Sequence, residues 1–133
     1  MTDVVTCVIS HDGKILILKR SDEVATHKGK WACVSGYVEE GDEILERAMK
    51  EVEEETGLPR ENIKLEKEGS PVNFFDEAEK KSWTVHPFLF TSDTDSVKID
   101  WEHTEYKWIN PAEIILYDTV PKLKEVVESL ISL

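Results

Sequence analysis

Glu51, Glu53, Glu54 and Glu55 place four carboxylates within five consecutive positions of KEVEEETG, residues 50–57. The stretch reads as the end of a helix, an unfavourable place for them. Carboxylates there oppose the helix dipole, and Glu51 facing Glu55 at i,i+4 costs about 0.2–0.5 kcal/mol more. At about 100° per residue, Glu51, Glu54 and Glu55 share one flank, whereas Glu53 points away with Glu46. Leu45, Ala48, Met49, Val52 and Thr56 form the neighbouring, packing side. Carboxylates converging from i, i+3 and i+4 suit a hard divalent cation such as Mg²⁺, whose charge would offset their repulsion. A merely solvated acidic flank is the alternative that spacing alone leaves open.

The elements around this flank must position it. A helix is predicted over residues 42–56, with Asp42 as N-cap, Glu43 in the first turn, and Gly57 followed by Leu58-Pro59 as its stop. Upstream, β-rich runs at 3–10 and 15–20 flank His11-Asp12-Gly13-Lys14 and predict a hairpin. A polar loop then leads to the short apolar run 31–34, and the chain turns at Gly36 and Gly41 before the helix. Further strands are predicted at 62–68, 72–76, 83–92 and 105–109. Pro111 opens a short helical turn, and Pro121 stands at N1 of a terminal helix reaching residue 133. Leu123, Val126, Val127, Leu130 and Ile131 give that helix one apolar face. A sheet with one central and one terminal helix needs cover on both faces, so the expected class is α+β, built as an α/β/α sandwich.

The whole chain bounds what such a site could serve. Its 133 residues suffice for one domain with one core. A net charge of −12, from 28 acidic and 16 basic residues, argues against a nucleic-acid polymer as partner. A small anionic nucleotide is still admissible if cations neutralise the carboxylates locally. No apolar run approaches the ~20 residues that span a bilayer, and MTDVVTCVIS lacks the basic and long apolar regions of a signal peptide. The expectation is a cytoplasmic protein without a membrane partner. Cys7 and Cys33 lie in strand-like apolar runs and read as buried, reduced thiols. There is no P-loop, H-E-x-x-H or C-x-x-C. DTDSVKID has Lys98 and Thr104 where a calcium loop needs glycine and an acid, so it reads as a polar turn.

Residues 36–58, GYVEEGDEILERAMKEVEEETGL, resemble the box of the Nudix hydrolase family, G-x5-E-x7-R-E-U-x-E-E-x-G-U with U bulky and apolar. Gly36, Glu51, Val52, Glu54, Glu55, Gly57 and Leu58 match in register. Asp42 stands where the box has Glu and Lys50 where it has Arg, and lysine cannot reproduce the planar fork with which arginine holds a carboxylate. Val34-Ser35-Gly36 replaces the Pro-Gly-Gly often found before the loop.

The resemblance implies a Nudix-type sandwich with a mixed sheet, and metal-dependent hydrolysis of a phosphoanhydride in a nucleoside diphosphate-linked metabolite or nucleoside triphosphate. Carried over, Glu51, Glu54 and Glu55 would ligate Mg²⁺ or Mn²⁺, one of them also acting as base with Glu54 the catalytic candidate, and Lys50 would orient a box glutamate such as Glu54. Glu102, six residues before Trp108, fits a loop carboxylate that serves some members as ligand or base, with Glu105 as the fallback. Arg20, Gly36, Phe74 and His86 are the candidates for substrate contact. Only one of Phe74 and Phe75 can face a cleft, and His86 can do so only if its strand face lines one. Trp31 and Trp83 read as packing residues. ADP-ribose and oxidised nucleoside triphosphates both stay open as substrates, as does a homodimer. Asp42 and Lys50 also keep alive a rival reading, a Nudix-fold nucleotide sensor without turnover.

Overall fold

The computed structural model describes residues 2–132. Strands β1 (Thr2–His11) and β2 (Lys14–Arg20) form the expected hairpin, with Asp12 and Gly13 both at positive φ in the two-residue turn. They pair only at Ser10↔Ile15 and His11↔Lys14, then diverge. The opening is filled by β3 (Trp31–Ala32), which pairs with β2, and β4 (Val34–Tyr37), which pairs with β1. This fork carries Ser35 and Gly36 to the side of the central helix, α1 (Ile44–Thr56). Strand β7 (Lys81–Ser92) runs parallel to β1 from Thr2↔Trp83 to Ser10↔Thr91, which makes the sheet mixed. Its other edge takes β5 (Ile63–Glu68) and β6 (Val72–Asp76), while β8 (His103–Ile109) pairs with β2.

Alternation along the strands builds two cores. Val5, Cys7 and Ile9 of β1 pack with Ala48 and Val52 of α1, whereas Val8 joins Val85 and Leu89 of β7 beneath the terminal helix α2 (Leu123–Leu130). The sheet is thus covered by a helix on each side, the predicted α/β/α sandwich. Both cysteines are free and buried, and burial pushes the Cys33 thiol up to about 12. Among the described residues, no helix is long and apolar enough to cross a membrane.

Several expected boundaries move. The N-cap of α1 is Glu43 rather than Asp42: the Glu43 carboxylate accepts from the Glu46 amide at 2.9 Å, leaving Asp42 free for another partner. Pro121 is not at N1 of α2, because Lys122 takes a left-handed conformation (φ 68) and delays the helix to Leu123. The helix ends at Leu130, and the expected final residue, 133, lies outside the described part. Strands β7 and β8 each begin two residues before the expected 83 and 105.

Candidate active site

Helix α1 delivers its carboxylates unequally. Ala48 and Val52 seat the helix on the sheet, and this rotation turns Glu51 and Glu55 inward, 9% and 2% exposed, while Glu54 stays in solvent beside them. Gly57 closes the helix at φ 75, a conformation glycine adopts without penalty, and its amide donates to the Glu53 carbonyl. The inward turn of Glu51 depends on Gly36. A Cβ there would lie 2.3 Å from Glu51 Cδ and 2.5 Å from Oε2, so the carboxylate occupies the space a side chain would need.

The electrostatics are those of carboxylates with too few cations. Burial raises the Glu55 pKa well above its ordinary value, and Glu51, Glu102 and Asp100 push it further. Glu51 is raised by burial and then by Glu54, with Arg47 opposing. Glu102 is raised by burial and Asp100, with Arg20 opposing. The partners of Glu55 are modest: the Ser35 amide donates to Oε1 at 3.4 Å, and His103 Nε2 stands 3.8 Å from the same oxygen. His103 donates Nδ1–H to Asp100 at 2.9 Å, and its burial holds its pKa down, so it brings no positive charge to Glu55.

A cation that sequence reasoning missed lies one helical turn before Glu51. Arg47 donates Nε–H and Nη2–H to the two oxygens of Asp42 at 2.9 and 3.3 Å, and its Nη1 stands 3.5 Å from Glu51 Oε2. The Arg47 hydrogen bonds hold the Asp42 carboxyl below its usual range. Lys50, by contrast, is exposed and forms no ion pair among the described residues, so the expected Lys50–Glu54 contact is absent. The i,i+4 relation of Arg47 to Glu51 was available as a signal.

Several of these groups line a cleft of about 270 Å³. Glu51, Gly36, Arg47, Glu102 and Arg20 line it together with Phe74. Phe75, next along β6, is 52% exposed, as strand alternation requires. Arg20 is held by the following loop, donating Nε–H to the Thr26 carbonyl at 2.9 Å and Nη2–H to Thr26 Oγ1 at 3.3 Å. Glu105 lies outside the cleft, 3.7 Å from Lys19 Nζ. His86 is also outside: Val85 takes the cleft-facing position, and His86 pairs with Asp3 at 2.9 Å. Trp31 packs in the core, but Trp83 is both buried and part of the cleft wall. Tyr37, His27 and the Asp76 behind His27 also belong to this end of the fold and carried no local sequence signal.

Among the described residues, no three Asp, Glu, His or Cys side chains already converge on one ligating point. The donor set nonetheless suits a hard divalent ion: carboxylate oxygens only, partly withdrawn from water, with protonation favoured until a cation compensates them.

A NUDIX domain profile matches residues 1–130. The chain is 31% identical over 125 residues to "Nucleoside triphosphatase NudI" of Escherichia coli O17:K52:H18, with 86% of each chain covered. Among solved structures it resembles the MutT protein of Methanosarcina mazei Go1 at 29% identity, with a TM-score of 0.76 over 96% of this chain and 90% of that one. A C. elegans Ap4A hydrolase shares the fold at 18% identity, with a TM-score of 0.78 over 98% and 95% of the two chains. With the profile spanning nearly the whole sequence and a triphosphatase relative above 30% identity, the chain belongs to the Nudix hydrolase family as an enzyme of pyrophosphohydrolase type.

Proposed function

We propose that this enzyme cleaves a phosphoanhydride bond of a nucleotide by water attack at phosphorus, with Mg²⁺ or Mn²⁺ held by Glu51, Glu54 and Glu55. The observation that supports this most directly is the crowding of Glu51, Glu55 and Glu102, two of which line the cleft, where burial and mutual repulsion favour protonation. When bound, a divalent cation would neutralise phosphate charge and acidify and orient the attacking water.

The chain's own residues supply the rest. Arg47, anchored on Asp42, steadies Glu51, and Gly36 leaves its carboxylate room. Glu102 takes the proton of the attacking water; its raised pKa brings it nearer the operating pH, where a general base works best. Arg20 has its Nε and Nη2 engaged by Thr26 and keeps Nη1 for a phosphate oxygen. Asp42 and Lys50 were the features that favoured a sensor, but Asp42 is part of a formed Asp42–Arg47–Glu51 chain. The similarity to the NudI triphosphatase favours a nucleoside triphosphate over a diphosphate-linked metabolite as substrate.

The test is release of nucleoside monophosphate from a panel of nucleoside triphosphates and ADP-ribose, with and without Mg²⁺ or Mn²⁺, for wild type and Glu54→Gln. Metal-dependent product, largely lost in the variant, is the expected result. Saturable nucleotide binding with no product from any substrate would instead make the protein a sensor.

A further inference from the structure

The turn that presents Glu102 to the cleft is held by polar fastenings rather than by an apolar side chain of its own. Upstream, Val97 and Ile99 pack against the core cluster that includes Val52 and Leu58, and the Lys98 amide donates to the Thr56 carbonyl at the end of α1 at 2.8 Å. The loop is thus docked on the helix that carries the acidic flank. Beyond Ile99 the chain turns through Asp100, Trp101 and Glu102 into β8. Trp101 is 64% exposed, so its burial does not hold the turn in place.

Asp100 and His103 straddle Glu102 and are joined twice. The His103 amide donates to the Asp100 carbonyl at 3.2 Å, and His103 Nδ1–H donates to Asp100 Oδ1 at 2.9 Å. From the other side, the buried Ser21, next after Arg20 at the end of β2, donates its amide to the Glu102 carbonyl at 2.8 Å. The inward direction of His103 comes from an irregularity in the sheet. Lys19 pairs with Glu105 but Arg20 with His103, so Thr104 is an extra residue that forms a bulge in β8. Regular alternation would give His103 the same face as the exposed Glu105; the bulge breaks that parity, and the His103 side chain is only 2% exposed. The ring does not line the cleft, and its Nε2, 3.8 Å from Glu55 Oε1, is too far for a hydrogen bond.

We infer that His103 is a positioning residue for the loop carboxylate: stapled to Asp100, it fixes the turn from which Glu102 reaches the cleft. The ring is buried behind the cleft wall, so it acts through Glu102 and not on the substrate. With the staple in place, the chain around Glu102 is held by the Asp100–His103 pair across it and by Ser21 at its own carbonyl. Without the staple the turn keeps only its backbone bonds, and the carboxylate samples positions away from the attacking water. A misplacement of about 1 Å in such a group costs on the order of 10²-fold in rate. The inference rests on the reading of Glu102 as base but concerns residues that reading leaves unused.

A double-mutant cycle on kcat, read together with amide hydrogen exchange of the metal-free protein, tests this. His103→Leu removes the donor and leaves an apolar filler; His103→Asn keeps an N–H close to the position of Nδ1. His103→Leu should lower kcat about 10- to 100-fold with KM within about threefold, and His103→Asn should recover most of the loss. In a Glu102→Gln background His103→Leu should change kcat by less than about twofold, because the group it positions is gone. Exchange of the amides at 100–103 should speed up about fivefold or more in His103→Leu, the scale of one lost hydrogen bond, and stay slow in His103→Asn. Asp100→Ala removes the acceptor from the more exposed partner and should repeat both results, which covers a His103→Leu that fails to fold. An equal loss of kcat in both backgrounds, or unchanged kcat in both His103→Leu and Asp100→Ala, overturns the positioning role and leaves Glu102 as base. Full turnover in Glu102→Gln would instead refute the base itself, and the positioning role with it.

Discussion

Gly36→Ala isolates the geometry of the acidic end from its charge. The added Cβ would meet Glu51 Cδ at 2.3 Å, Cγ at 2.5 Å and Oε2 at 2.5 Å. Ordinary carbon–carbon contact needs ~3.5 Å, so the Glu51 carboxyl must retreat by roughly 1.2 Å. The colliding atoms are the end of a flexible side chain, and Gly36 is not at positive φ, so alanine strains neither its own backbone nor its neighbour's. The fold should therefore survive with a small change in Tm. Catalysis should not, because a displacement of ~1 Å in a reacting constellation costs about 10²-fold. The assay is kcat/KM for metal-dependent nucleotide hydrolysis beside thermal unfolding. Gly41→Ala is the opposite control: a Cβ there meets nothing within 4 Å, but φ is 88, so it should lower Tm and largely spare turnover. Turnover of Gly36→Ala within about threefold of wild type would refute the placement of Glu51 at the reacting centre.

Glu55→Gln should remove a pH dependence. With its folded pKa raised by burial and by Glu51, Glu102 and Asp100, Glu55 favours the fold fully below its unfolded value near 4.5, and this contribution is lost as pH rises through the raised folded value. Calorimetry without divalent ions should thus show wild type losing Tm relative to Glu55→Gln on going from acid to neutral pH, and added Mg²⁺ should restore it. Arg47→Lys keeps the charge but not the fork on Asp42, and turnover should fall about 10- to 100-fold, whereas Lys50→Ala should stay near wild type in the same steady-state assay. Glu102→Gln should lower kcat about 10²-fold or more, and Glu105→Gln, whose carboxylate lies outside the cleft beside Lys19, should not; the reverse order would move the base.

How much of this was legible depends on how far apart in sequence the partners lie. The acidic flank could be read directly because helical periodicity translates spacing into direction, and Gly57 and the Asp12-Gly13 turn carry their conformations in their residue types. The same periodicity put Glu54 with Glu51 and Glu55, but only packing decides that Ala48 and Val52 turn the latter two inward and leave Glu54 in solvent. Replacing the box arginine by Lys50 suggested a weakened site when Lys50 was read alone. Arg47 changes that inference. It reaches Glu51 at i+4, as the box position cannot, and it binds Asp42, which is free only because Glu43 caps the helix instead. Of the two departures from the family pattern, Asp42 is thus tied to Glu51 through one guanidinium, while Lys50 stays exposed. The aromatic part of the cleft had no comparable local code. Tyr37, Phe74 and Trp83 come from three strands brought together by the parallel β1–β7 register, and His27 meets Asp76 across 49 residues. A strand pattern says that Trp83 is buried; only the sheet's order says that it also forms part of a cleft wall. The acidic carboxylates are more legible because Glu51, Glu54 and Glu55 all sit on one helix, and Glu102 joins them from elsewhere in the chain.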